Sequence, residues 1–181
     1  MAGLGTWKDG KEREMTLEEA IRTAISYETR IRNVYLEAAE ETPEAAGKSF
    51  LKTMGDEEQH HLDYLKDRLK KWTETGELMV EKLETIVPPN EQIASEMAKF
   101  KEKMSEKTLG DQKRVLSRAL RVEVETTGFY RTMVEEMSDE AKAMFARFLE
   151  IEERHIAAVQ MQLDYLTKTG YWFDRKEFDM E

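Results

Sequence analysis

Glu58 and His61 stand three residues apart, and Glu152 and His155 repeat that spacing 94 positions later (152 − 58). On a helix, a carboxylate and an imidazole so spaced project from one side. Each pair lies within an apolar seam. Residues 145, 148, 152, 155, 159, 163 and 166 read Phe, Phe, Glu, His, Val, Leu, Leu. Residues 51, 54, 58, 61, 65, 69 and 72 read Leu, Met, Glu, His, Leu, Leu, Trp. A core-facing stripe is expected to be hydrophobic throughout. A carboxylate placed there demands a cation, a hydrogen-bond donor or a solvated gap.

Two further glutamates obey the same rule. The seam Leu17, Ile21, Ala24, Glu28, Ile31, Tyr35, Ala38 carries Glu28, and Leu116, Ala119, Glu123, Thr126, Tyr130, Met133, Met137 carries Glu123. Glu28 and Tyr35 recur as Glu123 and Tyr130 at an offset of 95 (123 − 28 and 130 − 35). Four helices thus each bring a seam glutamate, and two add a histidine one turn on. That set matches the ligand pattern of ferritin-like di-iron and di-manganese carboxylate proteins. Four carboxylates and two neutral imidazoles would balance two divalent ions. Without metal the carboxylates would repel, and several would hold protons or admit water.

Rival registers exist. Glu57 and His60 share the three-residue spacing, but their seam (Thr53, Glu57, His60, Tyr64, Asp67, Lys71) is largely polar, which makes His60 a solvated neighbour. Glu125 competes with Glu123, yet its seam begins at Arg118 and lacks a counterpart of Tyr130. Tyr35 and Tyr130 read either as core aromatics or as hydroxyls bonded to a ligating carboxylate across the bundle. Met54, Met133 and Met137 read as core gap-fillers, and Trp7, Trp72 and Trp172 as packing residues.

The elements that must position these groups are legible from caps and breakers. Thr16-Leu17-Glu18-Glu19 is a capping box opening a first helix that ends near Glu41. Thr42-Pro43 then reads as cap and first turn of a second helix that Gly76 closes. A third spans about 111–137, and Ser138 caps a fourth that stops at Gly170. The long connection between Gly76 and Gly110 contains Pro88-Pro89, with Asn90 able to cap a short helix carrying Ile93, Met97, Phe100 and Met104. The expectation is an all-α, ferritin-like four-helix bundle over 16–170: two helix hairpins joined by a long crossover containing a short helix. Residues 1–15 would form an N-terminal arm and 171–181 an aromatic, acidic C-terminal tail.

Composition narrows the function classes. With 36 % charged residues, three prolines and nine glycines, the chain suits long amphipathic helices. A net charge of −10 argues against nonspecific nucleic-acid binding. The absence of cysteine excludes disulfides, thiolate metal sites and thiol catalysis. No apolar run approaches a membrane span, and residues 1–11 lack the apolar stretch of a signal peptide, so a cytoplasmic location is expected.

Over about residues 16–169 the sequence resembles the rubrerythrin family of the ferritin-like superfamily. The motifs are Glu28 with Tyr35, Asp-Glu-Glu-Gln-His-His-Leu at 56–62, Glu123 with Tyr130, and Glu-Glu-Arg-His-Ile at 152–156. The resemblance implies two bound iron ions, with manganese possible and zinc able to substitute. It implies that Glu28 and Glu123 bridge the metals, while Glu58 with His61 and Glu152 with His155 are terminal ligands, one pair per metal. It also implies reduction of peroxide, with dioxygen as the other candidate oxidant. Ferroxidase activity with iron storage or detoxification is one alternative, and a non-catalytic metal-stabilised scaffold is another. Rubrerythrins carry a four-cysteine rubredoxin domain; this chain has no cysteine, so electrons would come from an external donor protein or reductant. They also carry an extra glutamate one turn before the third-helix bridging residue, where Leu120 stands here. A homodimer is expected, with helix swapping through the crossover one way to build it.

Overall fold

The computed structural model describes residues 15–89 and 109–170. Four α-helices are present, α1 (Leu17–Glu41), α2 (Ala45–Thr75), α3 (Leu109–Glu136) and α4 (Asp139–Thr169), and no strand occurs among the described residues. The expected four-helix bundle is the observed fold. The short helix expected after Asn90, the N-terminal arm up to residue 14 and the tail from Tyr171 lie outside the described residues.

Helix ends follow local chemistry, with two corrections. Thr16 and Glu19 form the capping box, each side chain bonding the other's backbone N–H. Thr42 is not the cap of α2. It terminates α1 in extended conformation, its Oγ1 donating to the Ala38 carbonyl at 2.8 Å, and Glu44 takes the N-cap position instead. Pro43 explains the shift, because the residue before a proline is held out of the helical region. Ser138 does occupy the N-cap of α4, but its hydroxyl makes no capping bond. Gly76 and Gly170 end α2 and α4 with φ of 73° and 82°, left-handed values that glycine adopts without steric cost.

α1 packs on α2 and α3 on α4, making two hairpins, and α1 also packs against α3. Reciprocal contacts fix the directions. Tyr35 meets Glu123 as Tyr130 meets Glu28, so α1 and α3 are antiparallel. His61 meets Glu152 as His155 meets Glu58, so α2 and α4 are antiparallel too. The sequence repeat is therefore a structural pseudo-twofold.

The interior is layered. One apolar cluster gathers Ile31, Leu51, Met54, Leu116, Ala119 and Val159, and another gathers Ile21, Ala24, Leu65, Met133, Phe145 and Phe148. Met137 only packs against the second from a half-buried position. Along every helix the seam glutamate falls between a residue of one cluster and a residue of the other. Burying apolar area at about 25 cal/mol per Å² supplies the stabilisation that ordering a polar layer opposes.

Residues 77–87, which follow α2, run back along it as an extended strap. Arg68 donates to the Met79 carbonyl, the Tyr64 hydroxyl to Glu81 O at 2.8 Å, and Arg147 of α4 to Leu83 O at 2.8 Å. Leu83 is buried in one apolar cluster and Val87 in the other. None of the four helices is long and apolar enough to cross a membrane.

Candidate metal centre

Glu28, Glu58, His61, Glu123, Glu152 and His155 are all fully buried, each at 0 % exposure. Two of the rival residues, His60 and Glu125, are not comparable. His60 is exposed, and Glu125 is exposed and paired with Arg30 at 2.5 Å. Helical spacing accounts for this: a one- or two-residue shift rotates a side chain about 100° or 200° away from the seam.

Glu58, His61, Glu152 and His155 form the tight group. One ligand-type atom from each lies within 4.8 Å of all the others. The two imidazoles stack face to face, with centroids 5.3 Å apart and planes 5° from parallel. His61 Nδ1 lies 2.9 Å from Glu58, 3.3 Å from Glu28 and 3.4 Å from Glu152. A single N–H can serve only one such acceptor well, whereas a cation can serve several. His155 Nδ1 lies 2.9 Å from Glu58 Oε1 and 3.8 Å from both Glu123 and Glu152.

Glu28 and Glu123 approach from α1 and α3 and carry the tyrosine contacts. Tyr130 donates its hydroxyl to Glu28 Oε1, and Tyr35 donates to Glu123 Oε1. Their wider surroundings differ. Tyr130 stacks on Phe148 at 4.9 Å, and Phe148 meets the His61 ring edge-on at 5.4 Å. Tyr35 belongs to the other apolar cluster, with Ile31, Leu51 and Leu116.

Charge in this layer is partly suppressed. Burial first, then the neighbouring carboxylates, push Glu28 and Glu123 well above the usual carboxylate range. Burial opposes ionisation of Glu58 as well, but the two flanking imidazoles outweigh it and hold its carboxyl well below that range. Burial alone would lower His61 and His155; Glu58 and the other carboxylates raise both instead. Burial and the facing carboxylates also raise Tyr35 and Tyr130, so both remain donors.

The residues fit a metal. Both oxygens of Glu58 and Glu152, Glu123 Oε2, both His155 nitrogens and His61 Nε2 are buried without an aligned hydrogen-bond partner. Close approach without alignment is how lone pairs look when they converge on a point rather than on each other's protons. Buried polar atoms left this way cost about 1–3 kcal/mol each unless something fills the gap. Nitrogen and carboxylate oxygen donors suit iron, manganese and zinc.

One buried acid escaped the sequence reading. Glu57, assigned there to a polar face, is only 4 % exposed, and its Oε1 accepts the backbone N–H of Ile86 in the strap at 3.2 Å. Periodicity within α2 could not reveal it, because the burying element is a distant stretch of irregular chain. A separate open groove of about 790 Å³ lies between α1 and α3; Asn33, Arg118 and Arg121 line it over Val34 and Val122, and it contains none of the seam groups.

No family model matches this chain, and no curated protein matches it. The fold is a four-helix bundle of ferritin-like arrangement. Its buried cluster of two glutamates and two histidines can coordinate metal and is consistent with a dinuclear-metal carboxylate site.

Proposed function

We propose that the chain binds two iron ions, or manganese in their place, for oxidoreductase chemistry, and that its substrate is hydrogen peroxide reduced with electrons from an external donor. The observation that carries this reading is the buried layer of six ligand-type side chains, five of which hold a polar atom without an aligned partner and four of which converge tightly. Glu58 with His61 would hold one ion and Glu152 with His155 the other, while Glu28 and Glu123 would bridge. Four carboxylates against two divalent ions give a neutral centre, and a neutral centre is what two flanking apolar clusters tolerate. When bound, a reduced metal pair supplies the two one-electron equivalents needed to cleave a peroxide O–O bond.

The rest is done by the chain. Tyr130 and Tyr35 hold Glu28 and Glu123 in one rotamer through hydroxyl bonds, as outer partners of metal ligands do. The two apolar clusters exclude water above and below the layer. The pattern that resembles rubrerythrins supports the peroxidase assignment over mineral storage. Lacking cysteine, the chain depends on a separate electron donor. A cytoplasmic homodimer is the assembly this reading carries with it.

Anaerobic loading with ferrous iron followed by rapid mixing with peroxide tests the proposal. Two irons per chain and stoichiometric peroxide consumption are expected. Peroxide that persists beside a fully loaded protein would overturn the enzymatic reading. Glu123→Ala is expected to lose dinuclear loading, and an unchanged stoichiometry of two would refute its bridging role.

A further inference from the structure

The layer is not equally closed on all sides. α1 packs directly against α3, whereas α2 and α4, which carry the Glu-x-x-His pairs, approach each other less closely than the other neighbouring pairs do. Chain from outside the bundle covers that side. The strap is tied to α4 at Leu83 and to α2 at Ile86. Leu83 is buried in the cluster that contains Phe148, and Val87 in the cluster that contains Met54. Between those two anchors the strap passes the level of Glu58 and His61. Glu84 to Ile86 are the residues that cross it, and they are not part of the apolar core.

One contact of that span is with a buried acid that has no place in the ligand set. Glu57 neighbours Glu58 on α2 but turns outward, and its Oε1 accepts the Ile86 N–H. A carboxylate accepting a backbone N–H makes a stronger bond than a neutral acceptor does. Irregular chain anchored by a few discrete contacts also opens more readily than a helix.

We infer that Glu57 is a positioning residue, the latch that keeps the strap closed over the α2–α4 side of the centre, and that ions and small oxidants enter beneath it. The inference rests on the metal-binding reading above. The latch itself is a property of the metal-free chain. Peroxide and a dehydrated divalent ion are both small enough to pass when the Ile86 contact breaks and the Leu83 and Val87 anchors remain.

The test uses the full chain with Glu57→Ala and Glu57→Gln, each checked for helix content. In the metal-free proteins, hydrogen exchange at the Ile86 amide is expected to accelerate about tenfold or more in Glu57→Ala, the loss of one strong hydrogen bond. Glu57→Gln keeps an acceptor and is expected to stay nearer the parent. Cobalt(II), followed by its visible absorption, then probes access. Glu57→Ala should both load and release to a chelator about tenfold faster, with stoichiometry and equilibrium affinity little changed. If Glu57 instead served to attract cations, its removal would slow loading, and that result would overturn the latch. So would exchange and loading rates within twofold of the parent, or a glutamine variant as fast as alanine. Failure of the parent chain to bind cobalt would refute the metal reading, and the Ile86 exchange rates would still decide whether Glu57 holds the strap.

Discussion

Tyr35 on α1 donates its hydroxyl to Glu123 on α3, although the seam glutamate of its own helix, Glu28, lies two turns away along the same face. Tyr130 returns the arrangement by donating to Glu28. Each hairpin therefore supplies the hydrogen bond that orients the other hairpin's carboxylate. The α1–α3 packing and the geometry of the candidate centre are coupled at two equivalent points.

Removing either hydroxyl tests that coupling. Tyr35→Phe leaves a buried Glu123 oxygen without its donor, and Tyr130→Phe does the same to Glu28. Each variant is expected to lose about 1–3 kcal/mol of stability in chemical denaturation. Metal affinity is expected to fall about 10–100-fold, the usual effect of losing a ligand's outer partner. Titration of the two variants by calorimetry checks this, and affinities equal to the parent's would show the tyrosines to be packing residues only.

Neutralising an acid in the layer has the opposite effect on the metal-free protein. Glu28 and Glu123 have folded-state pKa values raised above their unfolded ones. Their contribution is fully favourable below the unfolded carboxylate range and is lost as pH rises toward the folded value. At neutral pH the metal-free fold therefore carries this penalty. Glu123→Gln, which still accepts the Tyr35 hydroxyl, is expected to gain about 1–4 kcal/mol. At roughly 2–4 °C per kcal/mol for a chain this size, the rise is visible in a melting curve at pH 7. The gain should shrink at pH 4, and a lower melting temperature at pH 7 would contradict the assignment.

Metal uptake is expected to release protons. His61 and His155 have raised pKa values, as do Glu28 and Glu123, whereas ligation requires deprotonated groups. Apparent affinity should therefore climb as pH rises through neutrality. Calorimetric heats measured in buffers of different ionisation enthalpy would give the proton count directly, and buffer-independent heats would refute the expectation.

Gly128 offers a control outside the acidic layer. It lies inside α3, and a Cβ built there meets nothing within 4 Å. Gly128→Ala is expected to stabilise by about 0.5–1 kcal/mol through helix propensity. At Gly55 the added carbon would come within 2.9 Å of Leu36 Cδ2, so the same gain should be partly cancelled there. Urea midpoints of the two variants decide the ranking.

The fold and the six-residue layer were legible because both depend on a single 3.6-residue period. A glutamate or histidine that interrupts an apolar stripe is visible wherever the stripe itself is regular. Reading Glu58 over Glu57 and Glu123 over Glu125 as seam residues needed nothing more; burial separates Glu123 from Glu125, whereas Glu57 is buried as well as Glu58. What escaped depends on chain far away or on backbone detail. Glu57 accepts the Ile86 N–H, and no pattern within α2 announces a partner 29 residues on. Thr42 had cap chemistry but stood before Pro43, and its hydroxyl turned back to Ala38. The inequality between the two tyrosine environments was equally hidden, since the repeat that predicts both tyrosines is silent on Phe148.

The layered interior has a consequence for how the molecule comes apart. A girdle of acid at mid-height separates two modest greasy compartments, and every helix must thread all three zones. Neither compartment can melt without dragging its half of the girdle into water, yet the girdle is also where an uncompensated molecule is weakest. Whatever neutralises that belt thus acts as the rivet joining two small cores into one cooperative body.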